Sequence, residues 1–224
     1  MLTQKDLQLL GQPMGGITAF HWYKPGGEEK IRAAHQKFQR ELNNYQLGNK
    51  GEFELLLQGI WNVIYQWDNT CMGGPEMDAE IRALYSQTFD AFLRCMQQCA
   101  QSGNAYETEV SNTVLYFGRI YRILCDIDKN QISYNDAYFS YATCPHVPGL
   151  ESHQQYCGVI ATTSTQPGIN ISGVYKVYSD LRHESYLSRE YEHEIIFPMK
   201  RADIQQVIAF TDTSLLNGDW TKGE

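Results

Sequence analysis

Apolar side chains recur every three or four positions in three stretches of the first hundred residues. These stretches cover residues 28–44, 52–67 and 78–100, and their spacing is that of one face of an α-helix. Turn-forming clusters separate the stretches: Pro25-Gly26-Gly27, Gly48-Asn49-Lys50-Gly51 and Gly73-Gly74-Pro75. The pattern therefore predicts three amphipathic helices, each of which buries one face against the rest of the chain.

The pattern changes near residue 105, where β-branched and aromatic residues become frequent. Runs typical of strands follow at 113–125, 157–163, 173–178, 192–197 and 204–210. We therefore expect an α+β chain. A helical N-terminal segment, residues 1–105, packs on a largely β unit, residues 106–224, either as two parts or as one compact unit.

The composition indicates a soluble fold with its own core. The 224 residues are 42% hydrophobic, and the six cysteines are scattered, which favours reduced thiols over a disulfide framework. The formal net charge is −8 and neither lysine nor arginine forms a run, which argues against nucleic-acid and anionic-membrane partners. The N-terminal residues lack a signal-peptide pattern, and no stretch approaches the roughly 18 apolar residues of a membrane span.

Two carboxylates stand two positions apart at the start of a β-prone run. Glu192 and Glu194 precede Ile195-Ile196-Phe197, and Pro198 closes the run. Alternation along a strand sends both carboxylates to one face, as a site requires when two acids act on one substrate. The alternative is a solvated strand face, and Glu190, which continues the row, has no assigned role.

Two upstream runs carry side chains that suit the carboxylate pair. Residues 159–167 form an apolar strand that ends in four consecutive hydroxyl residues, which brace a neighbouring carboxylate or cap a turn. Residues 114–123 form an apolar strand with Arg119 and Arg122, whose charges need a partner or a cleft. The two arginines are an odd number of positions apart, so only one of them shares the face of the carboxylates.

The order of an arginine strand, a hydroxyl strand and a Glu-x-Glu strand resembles the arginine–serine–glutamate class of mono-ADP-ribosyltransferases of bacteria and vertebrates. Glu192-His193-Glu194 with its apolar trio and proline fits the third motif of that class. Ile160-Ala161-Thr162-Thr163-Ser164 fits the second, with threonine in place of the first serine. Tyr121-Arg122 fits the first motif and is favoured, with Arg119 as a competing choice. The resemblance covers residues 110–212.

The resemblance implies an α+β enzyme with a mixed or antiparallel β-sandwich core, which transfers ADP-ribose from NAD to a side chain of a target protein. Glu194 would stabilise the oxocarbenium-like ribose, and Glu192 would take the proton of the acceptor. The motifs also imply NAD contacts, namely Arg122 or Arg119 for the diphosphate and the hydroxyls of Thr162, Thr163 and Ser164, which would orient Glu194 and the strand edge.

The same resemblance places the acceptor protein at the loop before the carboxylates, with Tyr186 and Tyr191 as candidate contacts. Arginine is the expected acceptor because both glutamates are present, and threonine remains an alternative. The aromatic residue that stacks on nicotinamide is unassigned, with Tyr175 and Tyr178 as candidates. The resemblance further implies a bacterial effector that a specialised secretion system delivers into the cytosol of a host cell.

Other kinds of site have less support in the sequence. Cys144, His146, His153 and Cys157 lack the paired spacing of common zinc sites, so we expect no metal. NAD is expected as a substrate because the resemblance implies it. No Gly-rich phosphate loop or dinucleotide-binding motif occurs. Two alternative functions stay open: an NAD glycohydrolase, in which water replaces the acceptor protein, and a catalytically silent interaction module with the same fold.

Overall fold

The computed structural model describes residues 27–70, 79–125, 137–144, 156–163, 166–182 and 194–210. Over these residues five helices and seven strands form a mixed α+β fold, which confirms the fold class predicted from the sequence. The helices are α1 (Gly27–Asn44), α2 (Lys50–Thr70), α3 (Ala79–Ala100), α4 (Ala105–Val114) and α5 (Ile171–Arg182). Within this part of the chain, no helix combines the length and the apolar content needed to cross a bilayer.

Local chemistry explains where the helices begin. Glu28, Glu52 and Glu80 lie in the first turns of α1, α2 and α3, where a negative charge opposes the positive end of the helix dipole. Helix α4 begins after Asn104, whose side chain accepts a hydrogen bond of 3.1 Å from the backbone N–H of Glu107. The bounds of α1, α2 and α3 agree with the predicted helices to within a few residues.

The seven strands form one antiparallel sheet that curls into a half-barrel. They are β1 (Leu115–Tyr116), β2 (Arg119–Cys125), β3 (Tyr138–Ala142), β4 (Tyr156–Thr162), β5 (Gly168–Asn170), β6 (Glu194–Pro198) and β7 (Asp203–Phe210). Their spatial order is β1-β5-β6-β3-β2-β4-β7, which places strands from distant parts of the chain at its centre. The described strands therefore form a single curled sheet and not the two facing sheets of the expected β-sandwich.

Each face of the sheet packs against its own core. Tyr138 and Ile196 point to the helices and join a cluster with apolar residues of the helical layer, such as Phe92. Phe139 follows Tyr138 on β3 and Ile195 precedes Ile196 on β6, and both belong to a second cluster on the opposite face of the sheet. The alternation of side chains along a strand thus serves two cores, and the N-terminal helices pack directly on the β unit.

One predicted strand is wrong. Residues 173–178 are β-rich in composition, yet they belong to α5. The side chain of Asn170 accepts a hydrogen bond of 3.1 Å from the backbone N–H of Gly173, and this contact caps the start of the helix. Val174 and Val177 are three positions apart and both are buried, as the helical period requires. Capping and packing therefore outweigh the β propensity of these residues.

An ion pair fastens α3 to the sheet. The guanidinium of Arg201 donates to both carboxylate oxygens of Asp90, at 2.7 and 3.2 Å, and the hydroxyl of Tyr138 donates to Oδ1 of the same carboxylate at 2.6 Å. Burial raises the pKa of Asp90, but the hydrogen bonds from Arg201 and Tyr138 outweigh it, so this pKa is lowered overall. The contact holds the start of β3 and the turn that follows β6 against one helix.

Candidate active site

Glu194 is a buried carboxylate at the first position of β6. Its side chain is only 6% exposed, and Oε1 accepts a hydrogen bond from the hydroxyl of Ser140 on the neighbouring strand β3. Burying a carboxylate is costly unless a donor satisfies it, so the Ser140 hydroxyl stabilises and orients this group. The strand therefore begins with a carboxylate whose position is set by a specific donor.

Ser140 is the partner of Glu194 that the sequence patterns did not identify. It lies opposite Ile196 on β6, two positions from Ala142, which lies opposite Glu194 itself. Residues two positions apart on a strand share a face, so the hydroxyl and the carboxylate point to the same side of the sheet. The signal in the sequence is a short aromatic run over 138–141 with a serine inside it.

The register of the central strands decides which arginine shares the face of Glu194. Tyr121 on β2 lies opposite Ala142, and Ala142 lies opposite Glu194, so these three side chains form one row on one face. Arg119 is two positions from Tyr121 and lies on this face, where it is exposed. Arg122 is one position away and points to the opposite face, as the odd spacing predicted.

Arg122 is buried on the face opposite to Glu194, at 1% exposure. Its Nη1 atom donates a hydrogen bond of 2.6 Å to the backbone carbonyl of Ser140. The guanidinium also lies 4.8 Å from the ring centroid of Phe139 and 5.8 Å from that of Tyr141. The sheet therefore places Arg119, and not the favoured Arg122, on the Glu194 face, and which of the two binds NAD stays a prediction.

The two described threonines of the hydroxyl motif lie away from Glu194. Strand β4 is separated from β6 by β2 and β3, so neither Thr162 nor Thr163 orients the carboxylate. Thr162 lies opposite Arg119. Thr163 instead braces the turn before β2: its hydroxyl accepts from the N–H of Gly118 at 3.0 Å, and its own N–H donates to the Gly118 carbonyl at 3.0 Å.

Four residues of the sequence-based site lie outside the described residues. They are Glu192, Ser164, Tyr186 and Tyr191. Glu192 stands two positions before Glu194 in the sequence, and its role as the second acid stays a prediction. The same holds for the acceptor loop.

The two tyrosines considered for nicotinamide stacking are engaged in helix packing. Tyr178 of α5 stacks on Trp61 of α2 with ring centroids 4.0 Å apart and an angle of 7° between the planes. Tyr175 contacts the same indole edge-on at 6.4 Å. Tyr121 is a half-buried aromatic residue in the row of Glu194, on the candidate face.

A groove of about 420 Å³ lies elsewhere, between α2, α4 and α5. Its walls combine Tyr106 and Val110 with charged side chains of both signs, such as Lys176 and Asp180. None of the residues proposed for the chemistry lines it, so the groove does not define the site. Among the described residues, no group of three or more potential metal ligands occurs.

Comparison of the chain with protein-family models, with curated proteins and with solved structures finds no match in any of the three. The case for a function therefore depends on the geometry of Glu194, Ser140, Tyr121 and Arg119 and on the sequence motifs that contain them.

Proposed function

We propose that this chain is a mono-ADP-ribosyltransferase, which moves ADP-ribose from NAD to a side chain of a target protein and releases nicotinamide. The observation that carries the proposal is the buried carboxylate of Glu194, held by the Ser140 hydroxyl on a sheet face that also presents Arg119. An arginine, a serine and a glutamate on three adjacent strands supply the residue types of the class that the sequence resembles.

The reaction breaks the bond between C1′ of the ribose and the nicotinamide nitrogen, and the electron pair of that bond leaves with nicotinamide. Positive charge develops on the ribose, and the carboxylate of Glu194 stabilises it while it accepts a hydrogen bond from a ribose hydroxyl. The acceptor nitrogen then forms a bond to C1′ and gives its proton to a base. We assign that base to Glu192, on the strength of the Glu-x-Glu motif.

Arg119 fits a role in binding the diphosphate of NAD. It is exposed on the Glu194 face, on a strand two positions across the sheet from β6. Two strand spacings of about 4.8 Å place the two backbones roughly 10 Å apart, which leaves room between them for a ribose and its phosphate. Guanidinium groups bind phosphate oxygens through paired, charge-assisted hydrogen bonds.

The resemblance also suggests a biological setting for this activity. The partner would be an acceptor protein in a host cell, with arginine as the favoured acceptor, and the chain would act as a bacterial effector delivered by a specialised secretion system. No metal takes part in the proposed chemistry. The effector role is tested separately from the chemistry, by asking whether lysate of a candidate host contains a modified protein.

Incubation with labelled NAD, with and without cell lysate, tests the proposal. Label should become protein-bound with the wild type. Glu194→Gln should abolish both transfer and nicotinamide release, while Glu192→Gln should lose transfer and keep some release. Glu109→Gln, the same substitution at an exposed position of α4, is the matched control and should behave as the wild type.

The other outcomes distinguish the alternatives. Nicotinamide release without protein-bound label would identify an NAD glycohydrolase. No release, together with no effect of NAD on the melting temperature, would favour an interaction module and contradict the proposal, because a ligand that binds the folded state raises that temperature.

A further inference from the structure

Arg122 contacts the backbone of the residue that orients Glu194, from the face opposite to the candidate site. Its Nη1 donates to the Ser140 carbonyl at 2.6 Å, while the Ser140 hydroxyl donates to Glu194 on the other face. One peptide unit thus connects a buried guanidinium to the carboxylate. The chain of contacts runs through the sheet and not along one surface.

The pairing of β2 and β3 brings Arg122 close to Ser140. Among the described residues the two strands are joined at the pair Tyr121 and Ala142. Continuing the antiparallel register puts Ser140 opposite Ile123, the residue that follows Arg122 on β2. From this position the guanidinium of Arg122 reaches across to β3 and donates to the Ser140 carbonyl.

Packing holds the guanidinium in this position. Arg122 is 1% exposed and lies 4.8 Å from the Phe139 ring centroid and 5.8 Å from that of Tyr141, the two neighbours of Ser140 on β3. Cation–π contacts of this kind strengthen when the cation is removed from water. The guanidinium therefore contacts the rings of both residues that flank Ser140 on β3.

We propose that Arg122 is a positioning residue, which fixes the Ser140 peptide and thereby the hydroxyl that orients Glu194. The kinetic test of this inference rests on the proposed function, because its readout is nicotinamide release. It assigns Arg122 a role distinct from that of Arg119, which binds NAD on the opposite face. Loss of Arg122 should therefore slow the chemical step without weakening NAD binding, whereas loss of Arg119 should weaken binding.

The test is a double-mutant cycle on the rate of nicotinamide release. Arg122→Met removes the donors and keeps an apolar stem, and it should lower kcat by about 100-fold, the scale expected for small errors in positioning. The KM for NAD should stay within about twofold of wild type, whereas Arg119→Met should raise it. Ser140→Ala should lower kcat to a similar extent.

The decisive variant carries both Ser140→Ala and Arg122→Met. If Arg122 acts through the Ser140 hydroxyl, the double variant should be no slower than Ser140→Ala alone. The inference would be overturned if the fold-losses in kcat of the two single variants multiplied in the double variant. A raised KM for NAD in Arg122→Met would also overturn it. The folded fraction of each variant, measured by circular dichroism, corrects its rate. Independent losses of folded protein would make the double variant slower than Ser140→Ala alone, so unfolding cannot imitate the expected result.

Arg122→Lys keeps the proposal testable if Arg122→Met does not fold. The ammonium retains one donor for the carbonyl, so this variant should keep more activity than Arg122→Met and should show the same non-additivity with Ser140→Ala. An inactive wild type would contradict the proposed function itself. An active wild type in which the fold-losses of the two single variants multiply would contradict only the role of Arg122.

Discussion

Lowering the pH should destabilise the helical layer through one residue, His35 of α1. Its ring is 2% exposed, Nδ1 lies 2.7 Å from the Thr88 hydroxyl of α3, and the Tyr85 ring meets it edge-on at a centroid distance of 4.5 Å. Nε2 is buried and has no hydrogen-bond partner among the described residues. Desolvation lowers the pKa of His35 from 6.5 to about 4, so the folded state holds this ring neutral.

The direction of the pH effect follows from the lowered pKa. Above pH 6.5 the ring is neutral in both states and stability is unaffected. Below it the unfolded chain gains a proton that the folded chain excludes until the pH nears 4, so stability falls through this window. Each pH unit below 6.5 costs about 1.4 kcal/mol. Over the two units down to pH 4.5, with a small reduction because the folded ring begins to gain its proton near pH 4, the loss from this one group is about 2.5 kcal/mol.

Urea unfolding of the wild type and of His35→Asn, followed by circular dichroism at pH 7.5 and 4.5, measures this effect. The asparagine amide retains a polar group near Thr88 but does not titrate in this range. The free energy of unfolding should fall by about 2.5 kcal/mol more in the wild type than in the variant over this interval. An equal fall in both proteins would refute the assignment, since carboxylates common to both would then account for the whole change.

Two further substitutions test contacts that position the site. Asp90→Ala should lower the free energy of unfolding by about 2 kcal/mol in urea titrations, because it leaves Arg201 and the Tyr138 hydroxyl without their shared acceptor; an unchanged midpoint would mean that the contact contributes nothing. Gly173→Ala should cost about 1 to 3 kcal/mol, because the added Cβ would lie 2.1 Å from the Thr113 carbonyl oxygen; wild-type stability would show that α5 shifts freely.

Periodicity predicted the helical layer well because the spacing of apolar residues along a helix is a local signal. Ile31, Phe38 and Phe92 lie on the buried faces that the spacing indicated. The prediction failed over 173–178, where composition favoured a strand and the Asn170 cap favoured a helix. A side-chain cap involves one hydrogen bond, and a scan for apolar spacing does not detect it.

The candidate site depends on pairings that the sequence does not contain. Alternation predicted that Arg119 and Arg122 point to opposite faces, and the structure agrees. Which of them faces Glu194 follows from the register of Tyr121 with Ala142, a contact between strands that the order of the motifs does not give. Ser140 was missed for the same reason, since a serine in a short aromatic run gains meaning only beside Glu194.

The cleavage of NAD is proposed to depend on Glu194, held by Ser140. The most direct test is the rate of nicotinamide release at saturating NAD for the wild type, Glu194→Gln and the surface control Glu109→Gln. We expect release by the wild type and the control. Glu194→Gln should lose at least about 100-fold in rate, the scale for removing an electrostatic stabiliser of the transition state. Equal rates in all three proteins, or none in any, would contradict this proposal.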